Sequence, residues 1–109
     1  MPRLRTDFWV AAYLNQLRIA TIPAFVTASG EPEAGSVLIR LNLLDGYSRV
    51  FQRSYDLTLD RRIWMLLDEG GDDRIDQLLQ RQRDRDRDLW IIEVEDREGR
   101  TLLDQHGLV

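Results

Sequence analysis

The side chains best suited to chemistry in this sequence are carboxylates near its end and arginines near its middle. Glu93 and Glu95 are alternate residues of a β-forming run. They therefore project from one face of a strand, about 7 Å apart, with Asp104 a short way on. Oxygen ligands of this kind suit a hard divalent cation, and paired carboxylates can divide acid–base work. Glu93, Glu95 and Asp104 are thus the candidate metal or acid–base group. The plainer reading is a solvated strand face whose acids pair with Arg97 or Arg100.

The second constellation is Arg40, Arg49, Phe51 and Arg53, with Tyr47 beside them. Guanidinium groups and rings on an open sheet face hold phosphates and stack bases in several RNA-binding modules. These four are the candidate binding residues, although arginines also stack on rings simply to cover a sheet. The alternating run Arg81 to Asp88 is a weaker signal, because on a helix its like and opposite charges partly cancel.

Other chemistry is excluded more firmly. The chain has no cysteine, so disulfides, thiolate metal sites and cysteine nucleophiles are ruled out. His106 is the only histidine and cannot form a zinc site of the usual kind. No serine lies in a nucleophile elbow, and the glycines do not space as a phosphate-binding loop. Trp9, Trp64 and Trp90 read as core anchors. No cofactor is expected.

Net charge is −4, which disfavours non-specific nucleic-acid binding. All fifteen basic residues are arginine, and residues 63–109 hold most of the acid. No apolar run is long enough to span a bilayer. The opening MPRLRTDFWVAAYLNQL superficially matches a signal peptide, but polar residues interrupt it at helical spacing and no cleavage site follows.

These residues need elements to position them. Thr6 is the expected N-cap of a helix from about Asp7 to Ala20, with Trp9, Val10, Tyr13, Leu14 and Leu17 on one stripe. Ala24 to Ala28 is a short strand closed by a turn at Gly30–Gly35. Ser36 to Leu44 alternates as a strand, and Asp45-Gly46 predicts a two-residue hairpin. That turn sets Leu43 opposite Ser48, Leu41 opposite Val50 and Arg40 opposite Phe51, gathering the arginines and rings on one face. Arg61 to Asp68 is ambiguous between strand and helix and is read as strand. Asp72 or Asp73 caps a second helix with Ile75, Leu78 and Leu79 inward, fraying through Arg81–Arg87. Leu89 to Val94 is the core strand, followed by a turn at Gly99 and a short return strand, with 105–109 a loose tail.

The stretches FWVAAYLNQLR, GEPEAGSVLIRLNLLDG and DRDLWIIEVEDREGRTLLD occur in this order. Together they resemble an alphaproteobacterial family known as domain of unknown function 1491, over roughly Arg3 to Asp104. Relatives typically read Asp-Pro-Asp-Leu-Trp before the closing strand. Arg87 replaces that proline here, which leaves the second helix free to extend slightly. The resemblance implies a cytoplasmic single-domain protein and no activity, so no catalytic residues carry over.

The expected fold is α+β: a mostly antiparallel sheet of about five or six strands, an N-terminal helix, and a second helix before the last strand. The whole chain, 1–109, forms one domain. Helices on such a small sheet leave edges and part of one face open. The expected function is a non-enzymatic cytoplasmic interaction domain whose partner is another protein or itself, as a homodimer. The alternative is an RNA- or nucleotide-binding module. No membrane association is expected.

Overall fold

A computed structural model describes residues 4–105. The elements run α1 (Thr6–Ile19), β1 (Ala24–Ala28), β2 (Val37–Asn42), β3 (Tyr47–Asp56), β4 (Arg61–Gly71), α2 (Asp72–Arg85) and β5 (Trp90–Glu95). The five strands form one sheet ordered β1-β5-β2-β3-β4. All neighbours are antiparallel except β2 and β5. The hairpins β2–β3 and β3–β4 step outward, and α2 then carries the chain back across the sheet to place β5 beside β2. This is the expected α+β fold, and Arg61–Gly71 is strand throughout.

The helices lie on opposite faces. On one, Trp9, Val10, Tyr13 and Leu17 of α1 pack on Val37, Ile39, Leu41, Trp90, Ile92 and Val94. On the other, Ile75 and Leu79 of α2 pack on Leu38, Val50, Leu89 and Ile91. Each face therefore has a helix over its centre, while the β3–β4 end of the sheet stays part open, with Met65 and Leu66 half exposed. β2, read from the sequence as an alternating strand, is buried on both of its faces, as is β5.

The glycine loop 30–35 joins the start of α1 to the start of β5. Thr6 does not cap α1. The first two helical N–H groups instead donate to loop carbonyls, Thr6 N to Glu33 O at 3.1 Å and Asp7 N to Pro32 O at 2.9 Å, and the Thr6 hydroxyl donates to Gly35 O. At the other end, Glu31 N donates to Asp88 O at 2.9 Å and the Trp90 indole donates to Glu31 O. A Cβ on Gly30 would stand 2.0 Å from Asp88 O, so the approach requires glycine.

The β2–β3 turn departs from expectation. Leu43 N donates to Tyr47 O at 3.1 Å, leaving a three-residue loop with Leu44 at φ 62° and Gly46 at φ 89°. Arg40 consequently pairs with Val50, and Ile39 with Phe51. A one-residue slip exchanges the faces of a strand. Val50 joins the α2 cluster and Phe51 packs against the α1 cluster.

Two helix ends also differ. The N-cap of α2 is Gly71, and the Asp72 carboxylate turns to the sheet, accepting from the Ser48 hydroxyl at 2.7 Å. Its C-terminus is Arg85, so the arginine at 87 does not prolong it. Asp86 caps the exit instead, accepting from Asp88 N at 3.0 Å.

After β5 no return strand forms among the described residues. Gly99, at φ 78°, donates from its N–H to Asp96 O, and the Asp96 carboxylate accepts from the backbone and guanidinium of Arg100. The following segment docks on α1, with Leu103 buried and the fully buried Tyr13 donating to Thr101 O at 2.8 Å. Burial raises the Tyr13 phenol above its ordinary pKa. His106 and most of the expected tail lie outside the described residues.

The hydrogen bond from Arg100 holds the buried Asp96 carboxyl below the ordinary 3.8. A depressed folded-state pKa gives stability that is full above the ordinary value and fades as pH falls through the lower one. Asp96→Asn should cost about 1 kcal/mol at neutral pH, because Arg100 is half exposed. The difference between the two unfolding curves in urea should shrink as the pH is taken below 3.8. An unchanged gap in acid would refute this assignment.

Candidate functional site

The slipped register parts Arg40 from the other three candidate binding residues. Arg40 lies on the α2 face, while Arg49, Phe51 and Arg53 lie on the α1 face with Ile39 and Leu41. An open platform of arginines and rings is therefore not assembled.

Arg40 is buried among acids. Its guanidinium meets Asp76, the Asp72 carboxylate at 3.4 Å and Glu93 at 3.8 Å, and donates to the Ser48 hydroxyl at 3.3 Å. Glu93, set beside it by the parallel β2–β5 register, is thus a counter-ion. Asp104 lies on the surface in the segment docked against α1. Among the described residues no three acidic or histidine side chains converge to hold a metal ion. The candidate metal group is therefore not brought together.

Arg53 has a different setting. Its guanidinium carbon lies 4.8 Å from the Trp9 ring centre and 5.0 Å from that of Trp64. Trp64 is its direct partner across the β3–β4 pair, and the two indoles are themselves 5.3 Å apart. Trp9 also stacks on Tyr13 at 5.0 Å. The cation is fixed between two aromatic faces.

This stack borders a cleft of about 690 Å³. β3 and β4 run beyond the start of β2, where Leu38–Gln52 is the last β2–β3 pair. The cleft occupies the space below this overhang, between the beginning of α1 and the end of α2. Trp9, Arg53, Tyr55 and Arg62 line one side, and Glu33 and Asp86 contribute from the loop and α2 side. Sequence reasoning took Trp9 and Trp64 only as core anchors and missed Arg62. The signal for the Arg53–Trp64 pairing was the turn between β3 and β4, where the Asp56 carboxylate accepts from Thr58 N and Leu59 N at 2.9 and 3.1 Å.

The family model described as "Protein of unknown function (DUF1491)" matches residues 4–104. The chain belongs to the DUF1491 family. A DUF1491 crystal structure from Caulobacter crescentus CB15 is similar over 94% of this chain and 96% of that one, with 31% identity and a TM-score of 0.84. An NMR structure of a DUF1491 protein from the same organism gives 30% identity and a TM-score of 0.79, covering 95% and 96% of the two chains. The solution structure of Atu0922 from A. tumefaciens covers 86% of each chain, with 25% identity and a TM-score of 0.71. No curated protein matches the chain. No helix among the described residues of this DUF1491 protein is long and apolar enough to cross a membrane.

If Arg53 is held by its two rings, Arg53→Ala should lower stability by about 1–2 kcal/mol and change the tryptophan emission. Arg49→Ala should do less, because no ring among the described residues brackets that side chain. Equal losses in urea unfolding would show that the stack contributes nothing specific.

Proposed function

We propose that this protein is a non-enzymatic interaction domain that joins a second copy of itself through strand β4. The carrying observation is the edge itself. β4 is 11 residues long and is hydrogen-bonded to β3 on one side only, with Met65 and Leu66, on opposite faces, each 45% exposed. The adjoining hairpin adds exposed Tyr55, Leu57 and Leu59. A long apolar edge of this kind is a template for pairing with another strand. The opposite edge, β1, has only five residues.

Charge order along β4 favours a second copy in antiparallel orientation. Arg61 and Arg62 stand at one end, Asp68 and Glu69 at the other. A two-fold pairing centred on Met65 sets each arginine pair opposite the acids of the second copy, while Ile63 to Leu67 meet in the middle. Leu67 is the extra residue of a bulge opposite Val50 and Phe51, so this pairing carries across the bulge to reach Asp68 and Glu69. The absence of cysteine supports a reducing cytoplasm as the setting.

Sedimentation equilibrium at micromolar concentration should give about twice the 12.8 kDa chain mass. Met65→Lys and Leu66→Lys should each weaken the dimer at least ~10-fold, or ~1.4 kcal/mol. A monomeric parent, or a dimer indifferent to both lysines, would overturn the proposal.

A further inference from the structure

From the groove between α2 and β1 we infer a second, independent property: this side of the sheet docks an arginine-bearing segment of another protein, whose guanidinium enters beside Asp76 and Glu93. α2 covers only part of its face of the sheet, where Ile75 and Leu79 pack on Leu38, Val50, Leu89 and Ile91. On β1, Ala24 and Val26 turn to the α1 cluster, so Phe25 points to the α2 side and stays 45% exposed there. The groove next to it, about 440 Å³, has Asp76, Gln80 and Arg83 of α2 along one wall, Thr27 on the other, and Arg40 and Glu93 between them.

Charge decides what fits. Asp72, Asp76 and Glu93 surround Arg40, three carboxylates against one guanidinium, so the assembled group keeps two negative charges. The Asp76 side chain is 60% exposed and within reach of a second cation. Its pairing with Arg40 does not fill it, since a carboxylate has about four acceptor sites. Arg83, the other cation of the groove, donates to the carbonyls of Ser29 and Leu89 near the opposite end and leaves the acids unneutralised.

A ring stands beside these acids. Phe25 is the direct partner of Glu93 across the β1–β5 pair, so a cation approaching that carboxylate also meets an aromatic face. A guanidinium suits both, being planar, less strongly hydrated than an ammonium and able to bond a carboxylate through two N–H groups. The groove lies along β1, which is hydrogen-bonded to β5 alone, so the docking chain approaches from the edge of the sheet. The net charge of −4 draws a basic partner toward the protein as a whole.

The test is an NMR titration of the full chain, following the backbone amides of Thr27, Gln80 and Glu93. The probe is the capped pentapeptide Ala-Ala-Arg-Ala-Ala, with lysine, citrulline or glutamate replacing the arginine in matched controls. The arginine peptide should shift these signals saturably, with a Kd of about 1 mM or tighter. The citrulline and glutamate peptides should bind at least about tenfold more weakly, and the lysine peptide more weakly than arginine. Gln80→Lys sets a fixed cation in the groove without removing a partner of Arg40, and should weaken the arginine peptide about tenfold. Phe25→Ala, exposed and outside the ion group, should weaken it about threefold. No saturable shift with the arginine peptide would overturn the inference. So would citrulline or lysine binding as tightly as arginine, or an affinity unaltered in both variants. Shifts of the same amides on concentrating the protein without peptide would show a second copy covering the groove, and would overturn it too.

Discussion

A guanidinium taken out of water must be met by acids and hydrogen-bond acceptors, and this fold is arranged around doing so for Arg40. The residue is 8% exposed, on the sheet's most buried strand. Its partners come from three other elements: Ser48 from β3, Asp72 and Asp76 from α2, and Glu93 from β5. Meeting them requires α2 to cross this face of the sheet, β5 to lie parallel beside β2, and β3 to present Ser48 on the same side. A buried ion group of this kind contributes little net stability relative to apolar packing, but its incomplete assembly is costly. It therefore acts mainly on which arrangement is adopted.

The opposite face is organised by rings. Trp9 brings α1 against the sheet and also reaches the β3–β4 hairpin through Arg53 and Trp64. Because that hairpin projects past β2, the rings consolidate a part of the sheet that lacks a neighbouring strand on one side. The same overhang makes the cleft and lengthens the free edge of β4. The cleft and the long free edge thus share one geometric origin, two strands longer than the strand they pack beside. The loop at 30–35 closes the other side of the cleft, held there by backbone hydrogen bonds to both α1 and the approach to β5.

Much of this was legible locally. The stripe of α1, the bounds of β1, and the run at β5 follow from periodicity and from Pro23 and Gly30 as breakers. The strand at 61–71 was the harder reading, because a short apolar run has no decisive period. The candidate sites were less legible, and one residue of register accounts for most of the difference. Asp45-Gly46 is a strong signal for a two-residue turn, yet Leu44 takes the left-handed conformation and the loop has three residues. This choice places Ser48 beside Arg40 and Phe51 among apolar neighbours. The two-residue turn would have set Phe51 against Arg40. The expected site was read on a face that the longer turn divides.

The sequence by itself determined the class of fold, the order of its elements, the apolar stripes of the two helices, and the absence of thiol chemistry. These depend on side-chain type and spacing within single elements, which a chain carries wherever it is placed. Tertiary structure decided which charges meet. Arg40 with Asp76, Arg53 with Trp9, and Glu93 as a counter-ion rather than a metal ligand all join residues 36 or more positions apart. Such pairs depend on strand order, on register and on which face each helix covers. Those are settled by the whole chain burying its apolar surface together while leaving no buried charge unmet.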